Sequence, residues 1–144
     1  EDPARRCAAK ALRGDYGPLA AWQKQGYAAL LRGKPTYRRA WVTTYFPEEG
    51  FPRGAECRWW SAGCSERVAA ANKISPYAWV WISPGHLRQV LDTGSLRNDV
   101  VAQRKGAALW VDLWEPKRGQ LFGDDNAGVR LIAHIGPGKE VCYR

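Results

Sequence analysis

Residues 89–114 read Q-V-L-D-T-G-S-L-R-N-D-V-V-A-Q-R-K-G-A-A-L-W-V-D-L-W. Asp92 follows an apolar run and opens a D-T-G turn, and Asp112 lies inside a second apolar run, W-V-D-L-W. Strand-like apolar runs seldom contain a carboxylate that has neither a partner nor a function. A polar segment with glycine joins the two runs. We therefore predict a paired-carboxylate site at the lip of a small β-barrel, which points towards carbohydrate chemistry.

Length and composition indicate one globular domain. The chain has 144 residues, of which 45% are hydrophobic and 25% charged. No apolar stretch reaches the roughly 18 residues that a membrane-spanning helix needs, so we expect no transmembrane segment. The chain begins E-D-P-A-R-R, which is typical of a mature or trimmed start. Eight tryptophans beside no methionine supply large flat rings that either fill a core or stack on sugar rings.

The net charge of +8 is concentrated near the N-terminus. Residues 1–40 hold nine Lys/Arg and three Asp/Glu, whereas the remaining chain holds thirteen and eleven. Such a basic segment could contact an anionic wall polymer, a membrane surface or nucleic acid, but it is more often a solvated helix face. Because the basic segment and the tryptophan cluster occupy different parts of the chain, and paired cysteines favour an exported protein, we expect no nucleic-acid partner.

Four cysteines, Cys7, Cys57, Cys64 and Cys142, lack the close pairs and nearby histidines of a zinc site. We therefore expect no metal and no cofactor, and predict two disulfides formed in an oxidising compartment. Of the three possible pairings, Cys57–Cys64 as a local loop and Cys7–Cys142 as a tie between the ends are favoured. The alternative is a cytosolic protein with free buried thiols.

The first third of the sequence predicts two helices and the rest predicts strands. Pro3 can open a first helix that ends near Gly14, and a second ends at Gly33. An apolar stripe at helical spacing predicts that the second helix docks on the rest of the domain; it consists of Leu19, Trp22, Gly26 and Leu30.

Beyond Tyr37 the hydrophobic period changes towards two. Several short strands with few helices indicate a closed barrel. We predict a helical arm at residues 1–36 and a mainly β domain at residues 37–144, with Ser95 as the N-cap of a short helix inside it.

Five segments carry a family resemblance: T-T-Y-F, V-A-A-A-N, Y-A-W-V-W-I, Q-V-L-D-T-G and W-V-D-L-W. Together they resemble the six-stranded double-psi β-barrel of the three-aspartate domain of bacterial lytic transglycosylases. They are also similar to barwin, expansins and family-45 endoglucanases. The resemblance covers about Tyr37 to Gly136 and leaves the N-terminal helices outside.

The resemblance implies roles for particular residues. Asp112 matches the aspartate that serves as general acid, and Asp92 matches the aspartate of D-T-G. Asn72 stands near the place of the third family aspartate, so this chain departs from the pattern there. Glu48 and Glu49 lie just beyond the place of the family-45 base and are otherwise a solvated loop.

Aromatic and hydroxyl side chains complete the predicted groove. Thr44 and Tyr45 are expected along it, although Tyr45 could equally be a core ring. Trp59 and Trp60 are expected in the disulfide loop, where they could stack on sugar. Alternatively, one of these two rings packs inward.

The predicted function is that of an exported bacterial enzyme, secreted, periplasmic or associated with the cell wall. It resembles a lytic transglycosylase that cleaves peptidoglycan glycan strands as a monomer, with an aspartic acid as general acid/base. The alternative is a non-catalytic, expansin-like module that binds or loosens polysaccharide. A simpler reading of the two aspartates is that Asp92 caps its turn and Asp112 bonds backbone amides.

Overall fold

The computed structural model describes residues 2–46 and 65–137. These residues form three helices and six strands, so the fold is mainly β, as predicted. In chain order the elements are α1 Pro3–Leu12, α2 Ala21–Arg32, β1 Thr36–Tyr45, β2 Val68–Ala71, β3 Trp79–Ile82, β4 His86–Asp92, α3 Leu96–Arg104, β5 Leu109–Trp114 and β6 Asn126–Ile135.

The six strands close into a barrel in the order β1-β5-β2-β4-β3-β6, with β6 returning to β1. The predicted closed barrel of six strands is therefore confirmed. The pairs β1·β5 and β2·β4 are parallel, and the other four neighbouring pairs are antiparallel. The parallel β2·β4 pair brings the end of β4 beside the end of β2, and this neighbourhood carries the candidate site.

The barrel interior is filled by alternate side chains of its strands, because successive residues of a strand point to opposite faces. On β5, Leu109, Val111 and Leu113 belong to this core and none is exposed to solvent. The alternation means that Asp112, between Val111 and Leu113, points away from the barrel interior. A carboxylate can thus occupy an apolar strand without entering the core.

The helices begin and end where local chemistry predicts. The Asp2 side chain accepts a hydrogen bond from the Arg5 amide, and Pro3 follows in the first turn of α1. The Ser95 side chain accepts a bond from the Arg97 amide, which confirms the predicted N-cap of α3. The last residue of α2 precedes Gly33, which is its C-cap.

A second apolar core joins α1 and α2 to the barrel. The predicted docking stripe is confirmed, since Leu30 is fully buried and Leu19 and Trp22 pack on the same cluster. At Gly26 a Cβ would lie 2.7 Å from Trp79 Cε3, so only glycine allows α2 to approach the barrel this closely. The N-terminus is tied to β1 as well, because the Tyr37 hydroxyl bonds Asp2 and accepts from the Ala4 amide.

The predicted tie between the chain ends is not formed. Cys7 carries a free thiol, so the Cys7–Cys142 disulfide is absent from this structure. Cys7 instead packs half-buried among the apolar side chains between α1 and the barrel, as a small hydrophobic residue. Cys57, Cys64 and Cys142 lie outside the described residues. Among the helices that the structure describes, none combines the length and hydrophobicity required to cross a bilayer.

Candidate functional site

Asp92 and Asp112 lie on either side of the same residue. Ala70 on β2 pairs with Asp112 on β5 across one edge and with Asp92 on β4 across the other. Two strand spacings therefore separate the aspartate Cα atoms, about 10 Å in a regular sheet. Ala70 is 2% exposed and has no more than a methyl group to place between them. The structure thus brings together the two aspartates that the sequence singled out.

Asp112 is held by a short chain of hydrogen bonds from β1 and β5. Thr43 stands opposite Asp112 in the parallel pair, and its hydroxyl donates to Asp112 Oδ1 at 2.8 Å. The indole N–H of Trp110 in turn donates to the Thr43 hydroxyl at 2.7 Å. The Thr43 hydroxyl accepts from the indole, so its own proton is directed towards Asp112. This chain of two bonds orients the carboxylate of Asp112.

Asp92 is the last residue of β4 and accepts bonds on both of its oxygens. The backbone N–H of Thr93 donates to Oδ1 at 2.8 Å, and the Tyr45 hydroxyl donates to Oδ2 at 3.1 Å. The turn-capping role that the sequence allowed for Asp92 is therefore present in the structure. It coexists with a side-chain contact to another strand, which a simple turn residue would not need.

The Tyr45 phenol is close to both aspartates. Burial raises its pKa well above 10, and the negative charges of Asp92 and Asp112 raise it further, while Arg88 opposes them. Tyr45 therefore remains protonated at neutral pH and acts as a hydrogen-bond donor. Both carboxylates thus converge on one neutral phenol that can pass or orient a proton but does not carry charge.

Asn72 fastens the D-T-G turn. Its Oδ1 accepts from the Gly94 amide at 3.1 Å, and its Nδ2 donates to Asp99 Oδ2 at 2.9 Å and to the Ser95 carbonyl at 3.4 Å. Asp99 is 2% exposed and also accepts from the Trp110 amide at 3.1 Å. The predicted ligand-binding residue Asn72 thus positions the turn beside Asp92 and links it to β5.

Thr44 occupies a different place from the one predicted. It continues the alternation of Ala40 and Val42, which belong to the barrel core, and it is 4% exposed. Its hydroxyl is buried with no hydrogen-bond partner among residues 2–46 and 65–137. Thr43, one position earlier, takes the role at the site. Strand alternation alone could have chosen between them, had the inward face of β1 been known.

Two buried carboxylates were missed by the sequence reading. Glu115 is fully buried and accepts from the amides of Gly119 and Leu121 at 2.9 and 3.0 Å, which closes the turn after β5. Asp99 lies on α3 in a segment that reads as an ordinary polar helix. The signal for Glu115 was its position directly after W-V-D-L-W, where an acidic residue can cap the following turn.

Several predicted residues lie outside the described residues, namely Trp59, Trp60, Glu48, Glu49 and the three cysteines already named. Within the described ranges, no group of three or more histidine, cysteine or acidic side chains is arranged to hold a metal ion. The candidate site brings together two carboxylates, a phenol and a hydroxyl, those of Asp92, Asp112, Tyr45 and Thr43.

No known protein family, curated protein or solved structure matches this chain. What the site can do follows from its geometry: a pair of carboxylates at one edge of a barrel can donate and accept protons, or hold the hydroxyl groups of a bound sugar.

Proposed function

We propose that this protein cleaves the glycan strands of bacterial peptidoglycan in the manner of a lytic transglycosylase. The observation that carries the proposal is the placement of Asp92 and Asp112 on either side of Ala70, with the Tyr45 hydroxyl bonded to Asp92. Ala70 adds no more than a methyl group between the two carboxylates. Glycosidic bonds are commonly cleaved by such pairs.

Asp112 is the proton donor in this proposal and Asp92 is its positioning partner. Asp92 accepts a hydrogen bond on each of its oxygens, from the Tyr45 hydroxyl and from the Thr93 amide, and these bonds fix its position beside the groove. Asp112 is half-buried, and Trp110 and Trp114 lie on the same face of β5 on either side of it. The Thr43 hydroxyl directs the carboxyl group of Asp112.

The reaction needs one acid/base group, because the substrate supplies its own nucleophile. Protonated Asp112 gives its proton to the glycosidic oxygen as the bond from that oxygen to the muramyl C1 breaks. The 6-hydroxyl of the same sugar then forms the new bond to C1 and returns its proton to Asp112. The products are one strand with a 1,6-anhydro end and one strand with a new hydroxyl end, and no water is consumed.

A specific observation favours the alternative of a non-catalytic polysaccharide-binding module. Asn72 stands near the place of a third aspartate in the resemblance, and both ends of its amide are engaged, Oδ1 by the Gly94 amide and Nδ2 by Asp99 and the Ser95 carbonyl. With that position neutral, the groove could hold a glycan strand without cleaving it, as an expansin-like module does.

We also propose that the barrel is of the double-psi type and that the protein acts as an exported monomer. The six closed strands, with two parallel pairs among antiparallel neighbours, support the barrel type. A remaining Cys57–Cys64 disulfide would fit an exported protein, and peptide mapping without reductant tests it.

Incubation with purified sacculi tests the proposal directly. Mass spectrometry of released muropeptides should show 1,6-anhydro ends. New reducing ends would indicate hydrolysis instead. Sedimentation of the protein with sacculi, without any released product, would support the binding module and overturn cleavage.

A further inference from the structure

A cavity of about 500 Å³ lies between α2 and the barrel, at the start of β4 and away from the aspartates. Its lining combines aromatic rings with charged groups and includes Trp22, Tyr27, Glu66, Arg67, His86 and Arg88. Asp92 lies four positions beyond Arg88 on β4, roughly 13 Å along an extended strand. The cavity is therefore a place distinct from the carboxylate pair.

Arg88 gives this cavity a buried positive charge. The residue is 3% exposed, and its Nη1 donates to the carbonyls of Val68 at 3.2 Å and Trp114 at 2.6 Å. Within residues 2–46 and 65–137, the hydrogen bonds of the Arg88 guanidinium are made by Nη1 to these two carbonyls. Two neutral carbonyls do not cancel a buried charge.

Desolvation is the dominant effect on this guanidinium. Burial lowers the pKa of Arg88 to about 10, against the weaker opposing influence of Glu66, Tyr45 and Glu115. A pKa of about 10 keeps Arg88 charged at neutral pH. A desolvated cation with donor capacity in reserve gains free energy when an anion enters the same cavity.

The surrounding side chains suit a ring-bearing anion. The guanidinium of Arg67 lies 5.8 Å from the Trp22 ring centre and 5.9 Å from that of Trp79, and its Nε donates to Gln89 at 2.9 Å. These contacts fix Arg67 with its charge beside the cavity. Glu66 is exposed to solvent, so its opposing charge is better screened than that of buried Arg88.

We propose that this cavity is a binding site for a small anionic ligand, held through a carboxylate or phosphate group by Arg88 beside the rings of Trp22 and Tyr27. The inference rests on the cavity and not on the proposed function of the aspartates. A sugar acid and a sugar phosphate share the required chemistry, namely an anionic group on a ring that an aromatic face can cover.

Titration of isotope-labelled protein with three probes tests the site by NMR. D-glucuronate supplies a carboxylate on a sugar ring, inorganic phosphate supplies the other anion, and D-glucose is the neutral control. We expect glucuronate, phosphate or both to shift the side-chain signals of Arg88 and Arg67, and glucose to leave them in place. The anion that binds more tightly identifies the class of ligand.

Arg88→Gln should weaken binding of the effective probe about ten- to a hundred-fold, the range expected when a charged hydrogen bond is lost. Arg13→Gln is the matched control, because Arg13 is exposed and pairs only with neighbouring Asp15 on the surface. It should bind the probe as the wild type does.

The proposal is overturned if neither anion shifts the wild-type signals, if glucose shifts them equally, or if folded Arg88→Gln binds with unchanged affinity. If Arg88→Gln fails to fold, probe binding to the wild type and to Trp22→Ala tests the proposed site. Trp22→Ala should weaken glucuronate several-fold, because its ring is proposed to cover the sugar ring, and unchanged glucuronate affinity in that variant would contradict the site.

Discussion

The Tyr45 hydroxyl donates a 3.1 Å hydrogen bond to Asp92, although the two residues lie 47 positions apart in the chain. The bond joins the last residue of β1 to the last residue of β4, and two other strands, β5 and β2, lie between them in the barrel. It therefore depends on closure of the barrel and on no local feature of the sequence. The candidate site forms only when all four strands are in register.

Asp112→Asn should abolish release of anhydro-muropeptides from sacculi while the protein stays folded. The amide keeps the shape of the side chain and can still accept a hydrogen bond from Thr43. It cannot give a proton to the glycosidic oxygen or take one back from the 6-hydroxyl. Product analysis by mass spectrometry measures turnover, and circular dichroism checks the fold. Asp15→Asn, at an exposed position, is the matched control and should cleave normally. Wild-type rates in Asp112→Asn would contradict the assignment of the general acid.

Tyr45→Phe should lower turnover and destabilise the fold by about 0.5–1.5 kcal/mol, the usual net value of one hydrogen bond. The pKa of Tyr45 is well above 10, so the phenol contributes no tyrosinate at lower pH. The ultraviolet titration of tyrosinate up to pH 10 should therefore be the same in the variant and the wild type. A titration step that disappears below pH 10 in the variant would show that Tyr45 is not buried beside two negative charges.

Tyr27 should make the fold less stable in alkali. Burial raises its pKa from 10.0 to about 12 in the folded protein. Between these two values the unfolded chain releases the proton and the folded chain keeps it, so the free energy of unfolding falls as pH rises. This contribution is complete below pH 10 and lost through about pH 12. Urea unfolding at several pH values should show a shallower decline in Tyr27→Phe; an identical decline would place the phenol in solvent.

Gly26→Ala should destabilise the protein by about 1–3 kcal/mol, the range for overpacking a close contact. The new methyl group would lie 2.7 Å from Trp79 and 2.8 Å from Leu87. Thermal unfolding measures the loss. Gly136→Ala is the matched control, because nothing lies within 4 Å of the methyl group there, and its effect should stay within about 0.5 kcal/mol. Equal stability of both variants would mean that α2 does not pack on Trp79.

Asn72→Ala should destabilise the fold by about 1–3 kcal/mol, because buried Asp99 and the Gly94 amide each lose a partner. Turnover should fall less than in Asp112→Asn, since Asn72 acts through the position of the D-T-G turn. Chemical denaturation and sacculus digestion measure the two effects. If stability is unchanged while binding to sacculi weakens, Asn72 contacts the glycan directly, as the sequence reading had it.

Local chemistry explains why parts of the molecule could be predicted without coordinates. Ser95 caps α3 and the stripe that contains Leu30 docks α2, because a cap or an apolar face depends on residues close together in sequence. The Cys7–Cys142 tie is not formed in this structure, where Cys7 is free and packs on the apolar cluster. A pairing across the whole chain depends on where two distant segments lie, which neighbouring residues do not specify.

The sequence by itself determined the mainly β fold and the closed barrel, and it singled out Asp92 and Asp112 as candidates, because strand alternation and helix periodicity are written in neighbouring residues. Only the tertiary structure decided that Ala70 lies between the two aspartates and that Arg88 is buried. It also decided that Thr43 bonds Asp112 while Thr44 points into the barrel. These facts follow from strand order and register, in which a shift of one residue exchanges the two faces of a strand.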